Sequence, residues 1–297
     1  MATFSASDPR TAPTRPVRRL VRAAGFSPSG LGKHAVLLIY TAIAVFPIAL
    51  VVMNSFKSRF AIFDTPVQPP TADTFSTIGY ETLAKRGDFL GYLGNSAMVT
   101  GVSLVLIILF GAMAGFALAR YRFTGNRMLG LYLAIGIMVP IRLGTVSILN
   151  TIVGLGLENT LVALILVYTA SGLPLAVFIL SQFFREFPRD LEDAARVDGA
   201  GDFTIFGMAA RLARPAIAAV AVLTMIPVWN DLWWPLILAP GRKTATLTLG
   251  TQQFLGQFVS DWNAVLAALT IAMLPMVVLY VLFSRQFIRG LMSGAIK

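Results

Sequence analysis

Six apolar stretches dominate this sequence. Each is longer than the about 20 residues a helix needs to cross a hydrocarbon core of about 30 Å. They are Ala35–Phe56, Leu93–Ala119, Met128–Val153, Asn159–Phe184, Pro215–Pro240 and Trp262–Ser284. Four carry no formal charge, the third carries Arg142 and the fifth carries Asp231. In lipid every backbone N–H and C=O must be paired within its own segment, so these stretches predict helices and not open strands. The expectation is an all-α polytopic membrane protein with six transmembrane helices. Pro47, Pro140, Pro174, Pro227 and Pro275 fall inside five of the six, as kinks that neighbouring helices can accommodate.

Charge placement orients the chain. With the N-terminus inside, the inner segments hold six Lys/Arg before the first span, then Arg120, Arg122 and Arg127, five between Arg185 and Arg214, and Arg285, Arg289 and Lys297. The outer segments hold only Lys57, Arg59, Lys85, Arg86, Arg242 and Lys243. Basic residues collect on the cytoplasmic side, so both termini are expected in the cytoplasm. The same asymmetry accounts for much of the net charge of +10, and nucleic acid is not needed to explain it. Residues 1–30, rich in Pro, Ser, Arg and Ala, read as a disordered basic tail with a short basic helix near Val17–Ala24 at the lipid surface. Residues 31–297 read as one transmembrane domain.

Composition closes off several chemistries. Only 13% of residues are charged, against about 25% in a soluble domain. There is no cysteine, and His34 is the single histidine. Thiolate sites, a His-based metal cluster and a Ser/His/Asp triad are therefore set aside. No Gly-x-x-x-x-Gly-Lys-Ser/Thr phosphate loop is present; Gly241-Arg242-Lys243-Thr244 lacks the preceding glycine. The chain is expected to be no enzyme, with no catalytic or metal-binding residues and no cofactor of its own.

The segment 185–214 between the fourth and fifth spans has helix grammar. Pro188 suits a first helical position, and Asp190, Glu192 and Asp193 favour the positive end of a helix dipole. Leu191, Ala194 and Ala195 share a face, and Glu192 and Arg196 form an i,i+4 pair. Gly199 is placed to stop the helix at φ > 0, and Asp202 could cap a second short helix bearing Phe203, Ile205 and Phe206. Spacing alone leaves two readings open, a passive surface connector or a docking element.

Resemblance separates them. The run Leu191-Glu192-Asp193-Ala194-Ala195-Arg196-Val197-Asp198-Gly199-Ala200 resembles the Glu-Ala-Ala loop of ABC importer permease subunits, with the family glutamate falling on Asp193 and its glycine on Gly199. The later Ile-x-Leu-Pro part is degenerate here, as Arg211-Leu212-Ala213-Arg214-Pro215. Asn54-Ser55-Phe56-Lys57, Gly156-Leu157-Glu158-Asn159-Thr160, the Phe-rich Phe178–Pro188, Trp229-Asn230-Asp231-Leu232-Trp233-Trp234-Pro235-Leu236 and the ending Gly290–Lys297 resemble, in order, further motifs of the shorter permease in maltose-type carbohydrate transporters. The resemblance implies a type I ABC importer permease fold in a bacterial inner membrane. It implies that Glu192, Asp193, Ala194, Ala195, Asp198 and Gly199 dock on a separate ATPase dimer that carries ATP and Mg. It also implies a second permease subunit in a heterodimer, a secreted substrate-binding protein, and a sugar or oligosaccharide as cargo.

Arg142 and Asp231 fall at similar depths, roughly 21–24 Å from the inner face at about 1.5 Å per residue. Intramembrane charge is costly and favours an interior, so the two are expected to face the bundle interior, to pair, or to leave Arg142 for an acidic sugar or sugar phosphate. The competing reading has Arg142 snorkelling to the outer headgroups. Trp229 and Asn230 are the other candidates for the pathway, while Trp233 and Trp234 read as interfacial anchors. An ion-coupled carrier or a membrane enzyme is the alternative; it lacks a mid-membrane carboxylate and a cluster of titratable residues.

Overall fold

The computed structural model describes residues 28–86, 88–252, 254–255 and 261–295, with side chains described from residue 32 to residue 278 apart from Arg86, and at Val281. The proposed basic tail, up to residue 27, and its short helix lie outside the described residues, as do Ile296 and Lys297. Two compact units are distinguished, 1–48 and 49–297.

Lys57 and Phe75 form an isolated bridge, and every named element among the described residues is helical. In chain order they are α1 (Pro28–Asn54), α2 (Arg59–Asp64), α3 (Ile78–Arg86), α4 (Phe89–Arg120) and α5 (Asn126–Met138). A 3₁₀ turn (Ile141–Gly144) leads to α6 (Thr145–Gly154), α7 (Leu161–Arg185), α8 (Arg189–Val197), α9 (Asp202–Leu212) and α10 (Arg214–Asn230). The short α11 (Trp233–Leu238) and α12 (Leu247–Gln252) precede α13 (Trp262–Ala295). Among the described residues three helices are long and apolar enough to cross a membrane: Gly32–Asn54, Phe89–Arg120 and Leu161–Arg185. Two bent pairs, Asn126–Met138 with Ile141–Gly154 (89°) and Asp202–Leu212 with Arg214–Asn230 (72°), pass only as pairs.

The first, second and fourth expected spans thus correspond to α1, α4 and α7. The third does not run straight. Pro140 has no N–H to donate and pushes Val139 out of the helical region, so the chain turns by 89° there. The fifth ends at Asn230, and α11 starts afresh three residues on. The sequence contains the reason: Asp231 accepts the amides of Trp233 and Trp234 at 3.3 and 3.0 Å, as a capping side chain does, and Pro235 sits in the first turn of α11, where a missing N–H costs nothing.

α4 and α7 form the central seam. Small residues let the backbones close on each other, as in helix pairs in lipid generally. A β-carbon at Gly111 would lie 2.7 Å from that of Ala176, and one at Gly115 only 3.1 Å from the Ser181 amide. At the seam's end, Phe116 meets Phe184 and Phe206 edge-on, with ring centroids 5.5 Å apart in each pair. This cluster joins α4 and α7 to α9.

The Ser-Phe-Lys motif after α1 has a structural task. Ser55 Oγ bonds Tyr80 Oη at 2.7 Å, and Phe56 packs on Phe75 and Tyr80. Lys57 is fully buried: its Nζ donates to Thr65 O, and its carbonyl accepts from Asn263 Nδ2, both at 2.7 Å. Burial pushes the Lys57 ammonium below the usual lysine value. The Asn263 side chain thereby ties the segment after α1 to the start of α13.

Candidate functional site

The segment 185–214 forms α8, a turn at Gly199 and α9. Gly199 has φ +80 and open space around its α-carbon, so the turn needs glycine for its backbone alone. The helix boundaries differ slightly from the sequence expectation. Pro188 precedes α8 as its cap position, and Asp202 is the first residue of α9 instead of its cap. Asp202 accepts from Arg196 Nη2 at 3.3 Å, so Arg196 spans the glycine turn.

Against α8 lies a buried ion pair that no local sequence pattern records. Arg120, in the last turn of α4, directs Nε to Glu192 Oε2 at 2.8 Å, Nη2 to the same oxygen, and Nη1 to the Phe187 carbonyl at 3.1 Å. Its guanidinium carbon stands 5.5 Å from the Phe187 ring centroid, in cation–π range. The Glu192 Oε1 accepts from Arg196 at 3.1 Å. Burial pushes the Glu192 carboxyl up, but the hydrogen bonds and charges of Arg120 and Arg196 outweigh it and hold the group below its usual value.

The six docking candidates therefore divide. Glu192 and Ala195 face inward, Glu192 into the ion pair and Ala195 into the core. Asp193, Ala194, Asp198 and Gly199 face outward. Of the apolar face shared by Leu191, Ala194 and Ala195, only Ala195 is buried, and Leu191 is 45% exposed. Two large apolar residues not singled out for docking are the most exposed of their kind in this segment, Val197 at 88% and Phe203 at 83%.

The second locus is a cavity of about 380 Å³ bounded by the 3₁₀ turn, α7, α10 and α11. Asp231 organises it. Its Oδ2 accepts from Tyr168 Oη at 2.9 Å, its backbone carbonyl accepts from Thr248 Oγ1 at 2.6 Å, and its Oδ1 lies 3.6 Å from Arg142 Nη2. Arg142 lies 5.7 Å over the Trp233 ring, and Trp233 Nε1 donates to Thr145 Oγ1 at 3.2 Å. Arg142 stays two-thirds exposed while Asp231 is nearly buried. Arg142, Asn230 and Asp231 all line the cavity. Trp229 does not. It is buried on the α13 side, with Nε1 donating to Ala272 O at 3.2 Å. Trp234, read from sequence as an interfacial anchor, is buried and lines the cavity instead. Tyr168 and Thr248 were missed, since lone hydroxyls on an apolar background carry no signal of what they face. Among the described residues no group of three or more His, Asp or Glu side chains is arranged to hold a metal.

Comparison with known proteins agrees with this architecture. Residues 107–293 match the family model described as "Binding-protein-dependent transport system inner membrane component". The chain is 32% identical over 284 residues to the diacetylchitobiose uptake system permease protein NgcG of Streptomyces coelicolor, covering 94% of this chain and 93% of that one. It is 34% identical over 263 residues to the trehalose transport system permease protein SugB of Mycobacterium tuberculosis, covering 86% and 93%. A crystal structure of a bacterial ABC transporter involved in the import of the acidic polysaccharide alginate superposes with a TM-score of 0.76 at 20% identity, over 88% of this chain and 99% of that chain, and supports the fold. The chain belongs to the binding-protein-dependent transport system inner membrane components, as an ABC transporter permease of the carbohydrate-importer type.

Proposed function

We propose that this permease is the translocation subunit of an ATP-driven importer for a sugar or oligosaccharide, seated in a bacterial inner membrane with six spans and both termini in the cytoplasm. In this reading ATP and Mg are held by a separate ATPase dimer and not by this chain. The observation that carries it is the surface of α8 and α9. Val197 and Phe203 stand 88% and 83% exposed on an element braced from below by a buried ion pair. A passive connector has no use for large apolar side chains left exposed on a braced helix–turn–helix, whereas a docking element does. Asp193, Ala194, Asp198 and Gly199 complete that outward face.

ATP closure of the ATPase dimer would displace α8 and α9, and the Arg120–Glu192 pair would carry the displacement into α4. The bundle would then exchange an inward-open for an outward-open packing, with a second permease subunit forming the other half and a binding protein delivering cargo from outside. At the cavity, Asp231 offsets the Arg142 charge. A compensated pair beside an indole face suits sugar rings, whose hydroxyls both donate and accept and whose C–H faces are apolar, so an acidic cargo is not required.

The test is co-purification of the tagged chain with its ATPase, together with uptake measured in cells. Val197→Asp with Phe203→Asp is expected to shed the ATPase and abolish uptake while expression is kept. Retention of both the ATPase and uptake in that variant would sink the docking assignment.

A further inference from the structure

Four arginines, Arg120, Arg122, Arg127 and Arg189, line a second cavity of about 460 Å³ between the end of α4, the start of α5 and the start of α8. No aspartate or glutamate lines it. Arg120 is spent on Glu192 and Phe187. The side chains of Arg122, Arg127 and Arg189 form no hydrogen bond or ion pair among the described residues. Three unpaired guanidinium groups around one concavity repel one another and concentrate positive potential there. An ordinary solvated face would intersperse acidic residues, as the neighbouring Arg196 does with Glu192 and Asp202.

We infer that this cavity binds the phosphodiester headgroup of an anionic phospholipid. Guanidinium groups match phosphate oxygens in fork geometry. The position favours a lipid over a soluble anion. The cavity opens where the apolar α4 ends, and Phe123 and Met128 stand 45% and 77% exposed on its rim, offering apolar surface to an acyl stem. It also favours a lipid over an acidic face of the ATPase, because the projecting Val197 and Phe203 are not among its lining residues. Basic pockets at the ends of spans take anionic headgroups by this chemistry. The inference is independent of the cargo.

The experiment uses the full chain with the subunits that copurify, exposed to vesicles of phosphatidylcholine containing phosphatidylglycerol, with retained lipids read by native mass spectrometry. The wild-type chain is expected to retain phosphatidylglycerol over phosphatidylcholine. R122Q/R127Q/R189Q should weaken that retention about fivefold per arginine, on the order of a hundredfold for all three. R122K/R127K/R189K keeps the charge and should keep most of the preference, which separates lost binding from lost folding. Equal phosphatidylglycerol retention in the glutamine variant would overturn the site. So would displacement of the lipid by millimolar inorganic phosphate, which would mark it as a free-anion site. Loss of the ATPase with lipid retention unchanged would place the arginines against a protein and overturn it equally.

Discussion

Arg120 is the residue on which α8 turns. Its side chain is 6% exposed and that of Glu192 13%, so neither charge can be re-solvated in place. Removing one partner from such a pair costs about 3–5 kcal/mol, because the other charge is left buried and alone. Arg120→Ala is therefore expected to lower the thermal midpoint of the purified chain and to break substrate-stimulated ATP hydrolysis. Glu192→Gln keeps an acceptor oxygen but leaves the Arg120 charge buried without its counter-ion, so it too should lower the midpoint; a midpoint unchanged in Glu192→Gln would reject an electrostatic role. The pH dependence has a definite sign. A carboxyl held below its usual value contributes stability that is complete above the unfolded-state pKa and is lost as pH falls through the lowered folded value. The wild-type chain should therefore lose this increment only in the acid range at and below the usual glutamate value of 4.5. Glu192→Gln should flatten the acid limb of a melting-temperature profile against pH.

At the scale of elements, two breaks set the local geometry, and each has a different cause. Gly199 turns α8 into α9 at φ +80 with nothing within 4 Å of an added β-carbon. Gly199→Val should therefore cost the left-handed backbone penalty alone, about 1–2 kcal/mol. It should abolish uptake while the protein still reaches the membrane, as read by transport assay beside immunodetection. The break after α10 is made by Asp231, which caps two amides and also faces Arg142. Asp231→Asn keeps an acceptor oxygen for one of those amides, whereas Asp231→Ala loses both at a cost of about 1 kcal/mol or more. Expression and melting temperature should rank wild type, then Asn, then Ala. The double exchange Arg142→Asp with Asp231→Arg should not restore function, since an arginine cannot accept from the Trp233 and Trp234 amides.

At the scale of the molecule, α4 and α7 must stay in register for a displacement at α8 to reach the cavity. The seam depends on glycines. Gly111→Val would force branched carbons into Ala176, which already lies within 2.7 Å of an added β-carbon. Overpacking of this kind typically costs about 1–3 kcal/mol. Size-exclusion profiles of the solubilised variant should show loss of the monodisperse species, while Gly94→Val, with nothing near an added β-carbon, should leave them unchanged.

By itself the sequence determined the solvent, the element type and the family. Long uncharged runs leave lipid and helix as the only consistent pairing, and motifs in order along the chain carry the kinship. It also contained the capping grammar at Asp231 and the break at Pro140, both hidden because hydropathy averages over the residues that stop a helix. Tertiary structure alone decided which way each polar group faces. Glu192 turned inward because Arg120, 72 residues away, offered a buried partner, while Val197 and Phe203 stand on the exposed face. Trp229 went to the α13 side, and Trp234 to the cavity. Facing is fixed by contacts between helices distant in sequence, and no local pattern records them.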